Sequence, residues 1–262
     1  MIVLLSAKLY NGLIGLLLSK SSLLYFLGFI ANSTLSLLSA SRVSIFSKRV
    51  VCKGVFNVTI PKWITDRKLI LGFLLAHILL FFTFQEKNVF WYIFTASMLF
   101  LVSYSILQEE IEDKIPFFSY ITLGSISGVI LFAIFFLGNA LIEVLGLPFT
   151  KEIAKLYSRL SPTVLWHYIV LLLVIIPGEE IFWRGFIQKR LQKVSTVTVS
   201  VFASSLMYAS AHFYSGSIML PFAALVSGVF WGYLYAWKKS LPLVIVSHLI
   251  FDLFLFVIYP LG

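Results

Sequence analysis

Three short stretches carry residues that could do chemistry together: Glu179, Glu180 and Arg184 in PGEEIFWRGF, His212 in YASAHF, and His248 with Asp252 in SHLIFD. Glu180 and Arg184 are four apart, as are His248 and Asp252, so on a helix each pair shares a face. Arg184 can neutralise Glu180, which leaves Glu179 about 100° away around the helix without a cation of its own. Such a carboxylate suits a general base acting on water, with histidine as its partner. Asp252 can accept from one ring nitrogen of His248 and so fix which nitrogen faces a substrate. A lone polar residue in a helix is often satisfied by packing, and an ion pair can be structural. Six such residues on adjacent apolar segments point to a site.

The surrounding elements make these residues costly. The chain of 262 residues is 60% hydrophobic and only 12% charged, against about 45–50% and about 25% in soluble domains. The net charge is +9, but 26 Phe leave little polar surface on which cations could engage nucleic acid, so a nucleic-acid partner is excluded. The composition is that of an integral membrane protein, all-α, a polytopic transmembrane helical bundle with about eight spans. A charge at mid-bilayer costs about 2.5–3.5 kcal/mol even on the lenient insertion scale, so each one is informative. Cys52, the only cysteine, permits no internal disulfide. The N-terminus lacks the basic start and cleavage site of a removed signal peptide.

Uncharged windows long enough to cross run over Ser21–Ser41, Leu69–Gln85, Asn88–Gln108, Ile115–Ile142, Leu160–Gly178, Val194–Trp237 (two spans turning near Gly216) and Leu241–Pro260, the last interrupted by Asp252 alone. Residues 2–18 form an interfacial helix or a further span. Residues 1–262 read as a single integral membrane domain, with 165–255 as its motif-bearing core. Gly124 with Gly128, and Gly228 with Gly232, let helices approach closely. The stretch 42–68 holds Arg42, Lys48, Arg49, Lys53, Lys62, Arg67 and Lys68. If it is cytoplasmic, alternation also puts Lys114, Lys189, Arg190, Lys193, Lys238 and Lys239 inside, and leaves Lys87, Lys151, Lys155 and Arg159 in outside loops. The acidic run Glu109, Glu110, Glu112 and Asp113 falls inside. At 1.5 Å per residue, Glu179, His212 and His248 lie roughly 21, 27 and 12–15 Å from the inner face. Helix tilt and the break at Pro177 can bring them into one cavity, expected to open toward the cytoplasm. The expected setting is a bacterial cell membrane, with the bilayer itself as partner.

Taken together, the residues resemble the CPBP (Abi) family of intramembrane proteases, related to the type II CAAX prenyl endopeptidases. Its pattern is EExxxR, then an aromatic with xxxH, then HxxxN or HxxxD, each on its own span. Here these are Glu179-Glu180-Ile181-Phe182-Trp183-Arg184, Tyr208-xxx-His212 and His248-xxx-Asp252. The resemblance implies an endopeptidase in which Glu179 and His212 activate water and His248 with residue 252 stabilises the oxyanion. Glu180 and Arg184 would support the site. Tyr208 replaces the commoner Phe, a change expected to matter little. Asp252 stands where Asn is commoner, and an ionised carboxylate cannot donate to an oxyanion; it must be protonated or act through His248.

Glu179, His212, His248 and Asp252 also form a hard N/O set that could hold Zn²⁺ with a position open for water. No HExxH helix is present to make zinc compelling, and the glutamate-base mechanism needs no cofactor. The substrate expected is a membrane-associated peptide or protein; pheromone or bacteriocin precursors fit as well as prenylated ones. A different class of function is a non-catalytic bacteriocin-immunity or membrane partner protein on the same scaffold. A proton-coupled transporter is disfavoured by the lack of inverted repeats. The sequence sets no oligomeric state. His77, His167, Asn139 and Glu143 match no motif and read as side chains satisfied by neighbours or water. The sequons at Asn32 and Asn57 fall in a span and a cytoplasmic loop.

Overall fold

The computed structural model describes residues 65–261 except 112 and 114. Segment 2–18, the Ser21–Ser41 span, Cys52, both sequons and most of the cation-rich stretch 42–68 lie outside the described residues. Among the described residues the chain forms eight helices and no strand. They are α1 (Arg67–Gln85), α2 (Phe90–Gln108), α3 (Phe117–Val144), α4 (Thr150–Leu160), α5 (Leu165–Gln192), α6 (Val197–His212), α7 (Met219–Lys238) and α8 (Leu241–Leu253, extended by a π-helical turn to Ile258). All but α4 and α6 are long and apolar enough to cross a bilayer, and the whole is an all-α helical membrane bundle. The 16-residue α6 is shorter, and joins α7 through a 3₁₀ turn and Gly216 at φ 69°, where the turn was expected.

Local chemistry sets the helix starts. The carboxylate of Asp66 accepts from the backbone of Lys68 and Leu69 at the head of α1, and the hydroxyls of Thr196 and Ser240 cap α6 and α8 in the same way. Outward faces expose large apolar side chains such as Phe118, Leu137 and Val144, which suits a lipid solvent and not water. The glycines pack as expected. A Cβ at Gly128 would sit 2.5 Å from the Ser247 carbonyl oxygen, and one at Gly228 3.1 Å from Ser205 Cβ. α3 therefore lies directly against α8, and α7 against α6.

Two apolar clusters result. One joins α1, α2, α5 and α6 around Met98, Ile176, Phe182 and Trp183; the other joins α3, α7 and α8 around Leu131, Trp231 and Phe251. One end of the bundle is locked by charges. Arg190 reaches Asp66 at 2.7 Å and Glu109 at 2.6 Å, and Lys193 reaches Glu109 at 2.7 Å. These residues were expected on one side of the membrane, and they share one end of the bundle. Partial burial alone would raise the Asp66 carboxyl, but the Arg190 guanidinium and the two backbone N–H groups hold it below its usual value. Lys151, Lys155 and Arg159, expected in a loop, lie on the amphipathic α4.

Candidate active site

The motif helix does not stop at the first charge. The uncharged window ends at Gly178, and α5 continues, as the depth reading supposes, through Glu179, Glu180 and Arg184 to Gln192. Pro177 lies inside it, where its ring removes an N–H and crowds the carbonyl four residues back. π-helical turns at Leu171–Ile175 and Ile181–Gln188 flank the proline and absorb that mismatch by widening the coil. The expected break is thus a local change of winding, and the two glutamates enter the bundle interior on continuous helix.

The six residues singled out from sequence are all buried, between 0% and 7% exposed. Glu179, His212, His248 and Asp252 line one cavity of about 160 Å³. Glu179 Oε1 stands 3.6 Å from His212 Nε2, too long for a direct hydrogen bond. His212 Nδ1 faces the Tyr208 carbonyl at 2.9 Å. A carbonyl only accepts, so Nδ1 carries a hydrogen, and in the neutral ring Nε2 is left as an acceptor. Two acceptors 3.6 Å apart can share one water at about 2.8 Å from each. That water would donate a hydrogen to both and direct its lone pairs elsewhere.

The second half of the site differs from expectation. His248 Nδ1 donates to Glu180 Oε1 at 2.8 Å, whereas Asp252 Oδ2 lies 3.8 Å from His248 Nε2. The side chain that orients the imidazole is therefore Glu180, not Asp252. Glu180 Oε1 also accepts from Arg184 Nη1 at 3.0 Å, so one carboxylate oxygen joins the guanidinium to the histidine. Arg184 is held between the rings of Tyr208 and Trp231, at 4.9 and 5.3 Å from their centroids.

Two contributions were not anticipated. The Tyr208 hydroxyl donates to Glu179 Oε2 at 3.0 Å, a bond that phenylalanine could not make, so this departure from the family pattern alters the surroundings of the glutamate. Trp231 stacks on His248 with centroids 3.8 Å apart and donates to Ser247 Oγ. Tyr208 was visible in the motif but read as packing; nothing in the sequence distinguished Trp231 from the other tryptophans. The remaining polar residues are satisfied locally. His77 pairs with Tyr214 and Ser210, His167 accepts from the Thr163 backbone, and Asn139 donates to Glu143.

The cavity wall is otherwise apolar and largely aromatic, with Phe84, Phe90, Trp91, Phe94 and Phe251 among its residues. Its lining extends to Phe84, Phe90, Leu160, Leu220 and Phe256. These lie at or near the ends of α1, α2, α4, α7 and α8 that gather opposite the Arg190 cluster. On the Arg190 side the interior is filled by the buried Trp183, Arg184, Phe186 and Gln188. The cavity thus reaches toward the Gly216 end, away from the cation-rich end at which the sequence placed its mouth. The physical reason is that His212 is the last residue of α6, so the Glu179–His212 pair sits nearer that end.

The four residues proposed as a zinc set do not gather as ligands would. Among the described residues no three His, Cys, Asp or Glu side chains converge on a common point.

No curated protein and no solved structure matches the chain significantly. Residues 161–254, the stretch that holds all three motifs, match the family model described as Type II CAAX prenyl endopeptidase Rce1-like, the CAAX-protease relation to which the motifs themselves pointed.

Proposed function

We propose that the chain is an intramembrane endopeptidase that hydrolyses a peptide bond in a membrane-associated peptide or protein, with water activated by Glu179 and His212. The observation that carries this reading is the 3.6 Å gap between Glu179 Oε1 and His212 Nε2 on the wall of an otherwise apolar cavity. Water held between them loses a proton to the pair as it attacks the scissile carbonyl, and the proton is then available to the leaving amine. His248 faces the same cavity through Nε2. Its Nδ1 already donates to Glu180, so Nε2 donates to the developing oxyanion only when the ring is an imidazolium. Glu180 and Asp252 stand 2.8 and 3.8 Å from its two nitrogens. Asp252 acts here through His248, which removes the need for it to donate. The mechanism requires no metal. With the cation-rich end placed in the cytoplasm, substrate reaches the cavity from the opposite half of the bilayer.

The test compares membranes from cells making the wild type, E179Q or H212Q at equal levels, with cleaved and uncleaved peptides read by mass spectrometry. The expected result is accumulation of uncleaved precursor in both variants. Undiminished cleavage by E179Q would overturn the mechanism.

A further inference from the structure

α4 (Thr150–Leu160) carries Lys151, Lys155 and Arg159 at four-residue intervals along one side. Ile153, Leu156, Tyr157 and Leu160 supply the apolar part of an amphipathic helix of the kind that lies in a membrane interface. Its position on the bundle is fixed by Tyr157. The hydroxyl donates to the Leu255 carbonyl at 3.1 Å and accepts from the Leu261 backbone at 3.3 Å, so α4 crosses the bundle where α8 ends. Between α4 and the turn into α7 lies a second, small pocket of about 10 Å³, lined by Lys155, Leu156, Arg159, Leu160, Ser215, Gly216 and Ser217.

This pocket has cations and no carboxylate. Arg159 Nη1 approaches the position where a Cβ on Gly216 would sit, at 3.6 Å. Its Nε is buried with no acceptor in reach, and Arg159 forms no ion pair among the described residues. A buried guanidinium N–H without an acceptor is costly, whereas the Asp66 and Glu109 carboxylates at the other end are fully used by Arg190 and Lys193. The fork of an arginine beside a lysine ammonium matches the oxygens of a phosphate. The space, about that of one water, admits one oxygen of such a group at its floor and no sugar or base.

We propose that Lys155, Arg159 and the Ser215–Ser217 turn form a binding site for a phosphate group, which at this depth is supplied by the headgroup of an anionic phospholipid. Leu160 lines both this pocket and the larger cavity, so an occupied site holds α4 in place beside the catalytic cavity. The site stands independently of the chemistry proposed for Glu179.

The test uses the full chain in detergent micelles, titrated separately with dioleoyl phosphatidylglycerol, dioleoyl phosphatidylcholine and inorganic phosphate. Bound lipid is read by intact-complex mass spectrometry, and stabilisation by thermal unfolding. Phosphatidylglycerol is expected to bind saturably and more tightly than phosphatidylcholine, and to weaken about fivefold for each of K155Q and R159Q. K151Q, outside the pocket, should stay within about twofold of the wild type. Lys155 is exposed, so K155Q retains the fold even if R159Q does not, and R159K preserves the charge at that position. Saturable binding of inorganic phosphate that is lost in K155Q supports the phosphate site and identifies the free ion as its source. Equal affinity for the two lipids, or phosphatidylglycerol binding unchanged in a folded K155Q/R159Q protein, would overturn it.

Discussion

His248 Nδ1 and Glu180 Oε1 are 2.8 Å apart although 68 residues separate them in the chain, and the same oxygen accepts from Arg184. The second glutamate of the motif therefore couples α5 to α8 and sets the direction of the histidine. Removing one partner of a buried ion pair costs about 3–5 kcal/mol, since the other charge stays buried without compensation. Glu180→Ala strands both Arg184 and His248, so a loss of that order is expected in thermal unfolding of the detergent-solubilised protein. Glu180→Gln keeps an acceptor oxygen and should remain folded, yet lose most cleavage under the proposed mechanism, in which Glu180 is the counter-charge of a protonated His248. An E180Q protein with wild-type turnover would show that Glu180 serves only to hold α5.

Tyr208 offers a finer test. Its hydroxyl donates to Glu179 Oε2 at 3.0 Å from within the core, and hydrogen bonds to charged groups are worth about 1.5–3 kcal/mol. Tyr208→Phe preserves the ring that packs on Trp183 and His212 and deletes only this bond. Turnover should fall by about tenfold or somewhat more, with KM nearly unchanged, because the bond steadies the proposed base and does not touch substrate. A rise in KM at constant kcat would place the hydroxyl in substrate binding instead.

The cluster was legible because ionisable groups in apolar segments are expensive: Glu179, Glu180, Arg184 and Asp252 interrupt such segments, and His212 and His248 sit within them. Their partners were less legible. Spacing of four residues pairs His248 with Asp252 and Glu180 with Arg184, since both lie one turn away; the bond from His248 to Glu180 depends on how α8 leans against α5, which no local pattern encodes. The π-helical winding around Pro177 was hidden for a related reason. Its cause is a steric conflict that could equally have broken the helix, and burial on all sides decided the outcome. α4 was hidden because its cations were counted for orientation and its apolar residues, Ile153, Leu156, Tyr157 and Leu160, are too few to cross a membrane.

The charged end of the bundle makes an acid-stability prediction. Asp66 titrates below its usual value of 3.8 in the folded chain because Arg190 and two backbone N–H groups favour its charged form over the opposing effect of burial. A depressed carboxylate contributes stability above its unfolded value, and that contribution disappears as pH falls through the lower folded value. The thermal midpoint of the wild type should therefore drop as pH is lowered through about 4. Asp66→Asn retains the helix cap but not the charge, so it should begin lower at neutral pH and show a flatter acid profile. The difference should be about 1 kcal/mol or less, because the pair is partly open to water. Parallel acid profiles for the two proteins would remove Asp66 from the account.

Chelation separates the water-activation mechanism proposed for Glu179 from a zinc mechanism on the same residues. A catalytic zinc needs three protein ligands within about 2.0–2.2 Å of one point, with a fourth position for water. In this chain His212 Nε2 faces Glu179 at 3.6 Å, while His248 turns Nδ1 to Glu180 at 2.8 Å and stands with Nε2 3.8 Å from Asp252. One ion on both histidines and Glu179 would need these side chains, which do not converge on a common point among the described residues, to close on one. Cleavage in isolated membranes should therefore persist after prolonged treatment with EDTA or 1,10-phenanthroline, at rates within about twofold of the untreated sample. Loss of activity on chelation, restored by Zn²⁺ and absent in H248Q, would show that the helices rearrange around a metal and would replace the water-sharing pair as the catalytic device.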